Sequence, residues 1–207
     1  MIDFLFGQYS SYDTLDIVLE LTAVFMGLIS VWLAKKNNIG VFPTGIISTT
    51  IFIYLLWKWG LLGDMIINFY YTLMSLYGWY LWTRKNKNQD TNPISWMQRK
   101  EKIWAFFLFL GTLFFVGFIY NFFGNFTSWT AYIDTFTTGL FFVGMWLMAK
   151  RKIENWIFWI VGDLVSVPLY FCKGYTFTGI QYFIFTIIAV FGFLEWKNIL
   201  DSNRQQL

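Results

Sequence analysis

The sequence contains no histidine, a single cysteine and few charged side chains. Charged residues make up 13% of the 207 positions, against about 25% in a usual soluble domain. Without histidine, the chain lacks the commonest general base and the commonest transition-metal ligand. Its one cysteine, Cys172, allows no disulfide within the chain. These absences argue against many enzyme classes, and we predict no catalytic residue, no metal site and no cofactor.

Apolar residues are abundant instead. Hydrophobic side chains make up 57% of the chain and aromatic ones 24%, which is more apolar surface than a soluble globule of this size can bury. A membrane-spanning helix needs about 20 mostly apolar residues. Seven stretches qualify, so the sequence predicts an all-α membrane protein with seven transmembrane helices, at residues 16–34, 39–57, 63–82, 103–123, 131–149, 154–172 and 176–196.

The ends of the chain and its loops indicate an orientation. The first 13 residues have neither a basic region nor a small-residue cleavage site, so we expect no cleaved signal peptide. The loops after the first, third and fifth spans, with the C-terminus, carry 13 of the 15 lysines and arginines. Basic loops remain in the cytoplasm. We therefore expect the N-terminus outside, the C-terminus inside, and the polar stretch 84–102 to form a cytoplasmic loop.

An internal repeat accompanies this pattern. Residues 20–82 align without a gap with residues 134–196 at an offset of 114, with 12 identities in 63 positions. Because a fourth span restores the orientation, the sequence predicts a parallel 3+1+3 repeat, as in SWEET-like carriers. Residues 1–207 would then form a single transporter domain, with units 16–82 and 131–196 and a linker helix at 103–123. A solute site is expected between the units.

Polar side chains at membrane depth are the first candidates for that site. Asp163 lies near the middle of the sixth span, and Asn68, Gln181 and Tyr182 lie in the outer halves of the third and seventh. Such groups either bind a solute or join helices to one another. The remaining polar candidates are Tyr71, Ser48 and Thr49; for the last two, bonding to their own backbone is the favoured alternative.

Two tryptophans complete the set. Trp156 and Trp159 lie one turn apart on one face of the sixth span, and Trp159 is one turn from Asp163. An aromatic face beside a carboxylate suits a flat organic cation. The alternative is that these rings belong to the belt of aromatics that lines membrane interfaces.

Four stretches carry a family resemblance: KKNNIGVFPTGIIS (35–48), GDMIINFYYTLMSLYGWYLW (63–82), KIENWIFWIVGDLVSVPLY (152–170) and FGFLEW (191–196). In these the chain resembles the Pnu family of bacterial vitamin transporters, most closely the PnuC nicotinamide riboside transporters. The family's WxxW motif maps onto Trp156 and Trp159. The chain departs from the family pattern at Asn68, where many relatives carry glutamine.

The resemblance implies a seven-span, SWEET-like transporter in the bacterial inner membrane. It implies uptake of nicotinamide riboside by facilitated diffusion, followed by phosphorylation by a cytoplasmic kinase for NAD biosynthesis. Membrane lipid is the other expected partner, nucleic acid is not one, and a homo-oligomer stays open. The nearest alternative is a thiamine carrier of the same family; an intramembrane enzyme and a channel are alternatives from other classes.

Overall fold

The computed structural model describes residues 13–60, 62–86, 89–90, 92–122, 129–172 and 176–205. Within these ranges the chain forms seven helices and one short antiparallel hairpin. The predicted all-helical class is thus confirmed. The elements are α1 (Thr14–Lys35), α2 (Val41–Lys58), α3 (Leu62–Thr83), β1 (Lys85–Asn86), β2 (Gln89–Asp90), α4 (Arg99–Phe122), α5 (Trp129–Ala149), α6 (Asn155–Cys172) and α7 (Thr176–Gln205).

The structure differs from the predicted boundaries at the polar stretch 84–102. The predicted loop contains the hairpin of β1 and β2, whose strands have two residues each. Helix α4 begins at Arg99, four residues before the predicted span. The early start has a local cause, because the Glu101 carboxylate accepts a hydrogen bond of 2.9 Å from the backbone N–H of Gln98. A glutamate at the third helical position often satisfies the first backbone donor in this way.

Six of the seven described helices are long and apolar enough to cross a membrane. The exception is α3, which has 22 residues. Its sequence includes Asp64, Asn68 and four tyrosines, and these polar groups lower its mean hydropathy.

Contacts between helices arrange six of them in a closed ring. In order around the ring, α1 packs on α2, α2 on α3, α3 on α5, α5 on α6, α6 on α7, and α7 on α1. Helix α4 lies outside the ring and packs mainly on α5. Because α4 covers it, α5 is the most enclosed helix: from Thr135 to Ala149, only Phe136 and Trp146 are not buried.

Two tryptophans form hydrogen bonds between helices of the ring at one of its ends. This end carries the basic turns after α1 (Lys35, Lys36) and after α5 (residues 150–152), and we call it the basic end. The Trp82 indole N–H of α3 donates to the Ala149 carbonyl of α5 (3.1 Å), and the Trp196 indole N–H of α7 donates to the Ala34 carbonyl of α1 (3.0 Å). Both indoles are almost fully buried. These bonds join the third helix of each half of the ring to the first helix of the other half.

The offset of 114 residues recurs in the backbone geometry. Helix α2 spans 41–58 and α6 spans 155–172, while α1 ends at 35 and α5 at 149. The turn after each has a residue with positive φ, Asn37 (50°) and Arg151 (51°). In each turn a 2.9 Å backbone bond closes back onto a leucine, from Asn38 to Leu33 and from Lys152 to Leu147. Such bonds satisfy helix C-terminal carbonyls.

The same offset relates two close contacts between helices. Gly78 of α3 faces the ring of Phe42, and Gly192 of α7 faces the ring of Trp156. Each ring also meets a tryptophan edge-on at an interplanar angle of 88°, Phe42 with Trp82 (4.9 Å) and Trp156 with Trp196 (5.5 Å). In both places, a glycine lets a large ring from the neighbouring helix approach the backbone.

Candidate functional site

Aromatic side chains from four helices of the ring meet beside α6. The Trp159 ring of α6 stacks on Phe141 of α5 (5.4 Å between centroids, 25°) and contacts Tyr71 of α3 at 6.4 Å. Phe141 also stacks on Tyr182 of α7 (6.0 Å, 7°), which in turn stacks on Tyr170 (5.1 Å). We call these five residues the aromatic cluster. Three of them, Tyr71, Trp159 and Tyr182, are predicted site residues.

Asp163 is the acidic group of this region. It lies one turn beyond Trp159 on α6, is only 2% exposed, and lies within electrostatic range of the hydroxyls of Tyr71 and Tyr182. No hydrogen bond joins its carboxylate to a residue that the structure describes. A buried carboxylate without a partner is costly, so the arrangement favours a ligand that brings a positive charge or a hydrogen-bond donor.

The structure places Trp156 apart from the cluster. Its side chain is 1% exposed and packs on Gly192 and Trp196 towards the basic end. A turn separates it from Trp159 along α6, and the two rings have different neighbours. The contacts of Trp156 are those of a ring that packs two helices together.

The remaining predicted residues bond mainly to the protein itself. The Ser48 hydroxyl donates to the Ala23 carbonyl of α1 (2.7 Å), and the Thr49 hydroxyl lies 2.7 Å from that of Thr72. The Asn68 amide donates to the Asp64 carbonyl one turn back (3.0 Å). Gln181 is partly buried on α7. The structure therefore brings Asp163, Tyr71, Trp159 and Tyr182 together and gives Ser48, Thr49 and Asn68 other partners.

Sequence reasoning missed two members of the cluster, Phe141 and Tyr170, because phenylalanine and tyrosine are common throughout this chain. The repeat alignment contained a usable signal. At the offset of 114, Phe141 corresponds to Gly27 and Trp159 to Gly45. A large ring that replaces glycine twice in neighbouring helices is such a signal. In the first half the two glycines allow close helix packing, because the Ser48 and Ser30 hydroxyls lie 3.1 and 3.0 Å from where a Cβ on Gly27 and on Gly45 would be.

A concave region lies outside the ring. It is a groove of about 490 Å³ between α4 and α5, and none of the predicted site residues lines it. Its walls are mostly apolar and comprise Leu113, Phe114, Gly117, Phe118, Asn121 and Tyr132. The groove lies on the outer surface of the ring, away from its interior.

Known relatives match over most of the chain. The nicotinamide riboside transporter PnuC of Escherichia coli (strain K12) is 23% identical over 203 residues, covering 87% of this chain and 85% of that protein. The riboflavin/roseoflavin transporter RibM of Streptomyces davaonensis is 30% identical over 128 residues, covering 59% of this chain and 58% of that protein. Both relatives are described as transporters.

A solved structure shares the fold. The crystal structure of the vitamin B3 transporter PnuC matches with a TM-score of 0.67 at 19% identity, covering 97% of this chain and 90% of that one. The family model described as nicotinamide mononucleotide transporter matches residues 17–198. The family predicted from the sequence is confirmed: this chain belongs to the nicotinamide mononucleotide transporter family.

Proposed function

We propose that this protein is a transporter, not an enzyme, that takes up nicotinamide riboside across the bacterial inner membrane by facilitated diffusion. The observation that carries the proposal is the aromatic cluster beside Asp163, inside a ring of six helices. The pyridinium of nicotinamide riboside is a flat cation, which aromatic faces and a carboxylate attract. A cytoplasmic kinase would trap the riboside by phosphorylation and so supply NAD biosynthesis.

The site favours the riboside over the phosphorylated mononucleotide named in the family description. The mononucleotide carries a phosphate, which proteins usually hold with arginine or lysine. Asp163 is the one charged side chain of α6. The lysines and arginines of the ring helices are Lys35 and Lys58, the last residues of α1 and α2, and Lys197 and Arg204 in the last third of α7. A carboxylate repels a phosphate, whereas it attracts the pyridinium.

We propose that Trp159, Tyr71 and Tyr182 stack on the pyridinium and that Asp163 balances its charge. Asn68 and Gln181 would bind the carboxamide or sugar after Asn68 releases its bond to the Asp64 carbonyl. Ser48, Thr49 and Trp156 would hold the helices that carry the site, because their present contacts are with other helices. Thiamine, another flat cation, remains the second candidate because of the departure at Asn68.

The 3+1+3 architecture belongs to the same proposal. The offset of 114 in helix bounds, turn geometry and glycine contacts supports two parallel three-helix units, at residues 16–82 and 131–196, with α4 as the linker. Both units belong to one transporter domain, in which α3 is the seventh transmembrane helix. Rocking of the units against each other would open the site to each side in turn.

The basic end of the ring would face the cytoplasm, with the N-terminus outside and the C-terminus inside. Lysines and arginines gather at this end, after α1, α3 and α5. The opposite end carries Lys58, whose ammonium group pairs with the carboxylates of Asp13 (3.3 Å) and Asp16 (2.7 Å). That pairing offsets the charge of Lys58, the one described lysine at this end of the ring.

Titration calorimetry on detergent-purified protein tests the function. We expect nicotinamide riboside to bind and thiamine to bind at least tenfold more weakly. Trp159→Ala should weaken riboside binding about tenfold, since stacking contributes about 1–3 kcal/mol and tenfold is about 1.4 kcal/mol. The control is Trp104→Ala on α4, whose exposed ring lies outside the aromatic cluster. Equal affinity of wild type and Trp159→Ala would refute the stacking role, and preference for thiamine would reassign the substrate.

Counterflow in proteoliposomes tests the mechanism. Facilitated diffusion requires saturable exchange of labelled riboside that does not respond to proton or sodium gradients. A rate that rises with an imposed proton gradient would replace diffusion with ion-coupled transport, and a rate that never saturates would favour a channel.

A further inference from the structure

An ion pair joins the first two helices at the end of the ring opposite the basic end. We call this the outer end, since the proposed function places it outside. The Lys58 ammonium at the end of α2 lies 2.7 Å from the carboxylate of Asp16 near the start of α1, and the Asp16 side chain is only 4% exposed. Separating the two helices here would leave a buried carboxylate without its counter-charge, which is costly. The pair therefore holds α2 against α1 at the outer end.

The second half carries neutral residues at the two corresponding positions. At the offset of 114, Lys58 corresponds to Cys172 at the end of α6, and Asp16 to Thr130 near the start of α5. A thiol and a hydroxyl cannot form an ion pair, and Cys172 is exposed. Charge therefore holds α1 and α2 together at the outer end, but it cannot hold α5 and α6 in the same way.

A proline inside α6 adds to this difference. Pro168 lies four residues before the end of the helix, where it removes the backbone hydrogen bond to the Leu164 carbonyl and lets the helix bend. Its counterpart in α2 is Tyr54, which has a backbone N–H. The proline of α2, Pro43, lies in the first turn, where backbone N–H groups have no helical partner in any case. Of the two helices, α6 is thus the one that is weakened near its outer end.

The contacts of α6 change along its length. Before the proline, Trp159 stacks on a ring of α5 at 5.4 Å. Beyond it, Tyr170 stacks on Tyr182 of α7 at 5.1 Å, and the Phe171 ring lies 3.0 Å from where a Cβ on Gly179 of α7 would be. The end of α6 and the start of α7 are therefore packed on each other. We call residues 168–172 and 176–182 the outer corner.

One stacked pair joins the outer corner to α5 within the aromatic cluster. The Tyr182 ring lies 6.0 Å from the Phe141 ring of α5, with 7° between their planes. If the outer corner moves away from α5, this pair must part. Trp159 and Asp163 lie before the proline, so they can keep their places while the cluster opens towards the outer end.

We propose that the outer corner is the gate through which the substrate reaches the aromatic cluster from outside. The corner bends away from α5 at Pro168, parts Tyr182 from Phe141, and closes again behind the substrate. The ion pair of Lys58 and Asp16 keeps the first half closed at the same end. This inference rests on the proposed function and deepens it, because it assigns the outward opening to one half of the ring.

Reversible cross-linking in proteoliposomes tests the gate. Thr130→Cys adds a second thiol to Cys172, and a short bifunctional thiol reagent that a reductant cleaves then ties α5 to α6. We expect this cross-link to lower riboside counterflow at least fivefold and the reductant to restore it. The matched control ties α1 to α2 through Asp16→Cys and Lys58→Cys in a Cys172→Ser chain, and its counterflow should stay within twofold of that after reduction. Wild type, with one thiol, should respond less than twofold to the reagent.

The outcomes separate the gate from the proposed function. If both cross-links inhibit equally, or the one between α1 and α2 inhibits more, the gate is refuted and the function stands. Full counterflow with α5 tied to α6 would refute it too. If wild type shows no riboside counterflow, the function fails.

Hydrogen exchange tests the gate without substrate or cross-link. Exchange at residues 165–172 should be at least tenfold faster than at the corresponding residues 51–58, because the proline weakens one segment and the ion pair holds the other. Pro168→Ala should slow exchange at 165–172 at least threefold, and Lys58→Ala should accelerate it at 51–58. Equal exchange in the two segments of wild type would overturn the gate.

Discussion

The two halves of the ring, α1–α3 and α5–α7, pack their helices in closely similar ways but differ in the side chains at corresponding inner positions. Both halves close their first helix with the same backbone turn and pack a ring on a glycine of their third helix. One turn after that glycine, each has a buried tryptophan that bonds across the ring. Inside, the first half presents Gly27, Gly45 and serines where the second presents Phe141 and Trp159. Helix packing is thus common to both halves, whereas the side chains at these corresponding positions differ.

The halves also differ in how their first turn is held at the basic end. The segment after β2 runs alongside the turn after α5, where the Ser95 N–H donates to the Arg151 carbonyl and the Ile153 N–H donates to the Ser95 carbonyl, each at 3.1 Å. The Arg151 guanidinium reaches the Asn92 carbonyl (3.1 Å) and lies 4.1 Å from the Trp82 ring centroid. We call residues 92–98 the clamp segment.

The corresponding turn after α1 has no such cover in the described part of the chain. Its Lys36 and Asn38 are exposed, while their counterparts at the offset of 114, Lys150 and Lys152, are partly and fully buried. The clamp segment therefore stabilises one half of the ring more than the other. If the halves rock, we expect the turn after α5 to open less readily than the turn after α1.

The largest predicted effect tests whether the corresponding glycine contacts stabilise the two halves equally. Gly78→Val and Gly192→Val should each destabilise the protein by about 3 kcal/mol, because the new side chain overlaps the ring of Phe42 or of Trp156. For a chain of this size the unfolding temperature falls roughly 2–4 °C per kcal/mol. Thermal unfolding in detergent measures this. The control is Gly111→Val on α4, where a Cβ would meet nothing within 4 Å. A twofold difference between the two losses of stability would mean that the two glycine contacts are not equivalent.

The next effect tests the clamp segment. The Glu154 carboxylate accepts the Met97 backbone N–H with both oxygens, at 2.9 and 3.0 Å. Glu154→Ala leaves that donor unpaired and should cost about 2 kcal/mol, with Glu154→Gln in between because its amide oxygen still accepts. Hydrogen exchange should accelerate at residues 94–98 and stay unchanged at 36–40. Equal acceleration in both turns would mean that the clamp segment does not act on one half alone.

A smaller effect concerns the two crossing tryptophans. Trp82→Phe and Trp196→Phe each remove one indole hydrogen bond, which contributes about 1 kcal/mol. Trp82 also lies under the Arg151 guanidinium, a contact that phenylalanine retains only weakly, so its loss should be the greater by a few tenths of a kcal/mol. Thermal unfolding of both variants and of the double variant measures this. A larger loss at Trp196 would contradict the role of Arg151.

The sequence predicted the positions of the helices more fully than the residues of the site. Hydropathy located the helices because a membrane span needs a long apolar run, and the gapless offset related Trp82 to Trp196 and Gly78 to Gly192. It could not assign partners to polar groups. Whether Ser48 bonds α1 or a solute, and whether Trp156 packs or stacks, depends on the rotation of each helix, which a nearly uniform apolar sequence does not encode in its periodicity. Phe141 was missed because phenylalanine is common throughout this chain.

The smallest effect tests whether surface charge distinguishes the two first turns. The Lys150 ammonium lies 3.0 Å from the Glu101 carboxylate, with both groups partly exposed, whereas the contact described for its counterpart, Lys36, is the Trp32 ring at 5.9 Å. Lys150→Ala should cost less than 1 kcal/mol, the usual range for exposed pairs, and part of that returns because Glu101 also pairs with Lys152 at 3.1 Å. Lys36→Ala should cost nothing measurable. Because salt screens exposed charges, the difference between the two variants in thermal unfolding should shrink at high ionic strength. A difference that persists in high salt would mean that Lys150 acts through packing of its side chain on Trp146, whose ring lies 4.7 Å from the ammonium, and that the asymmetry between the turns is not one of charge.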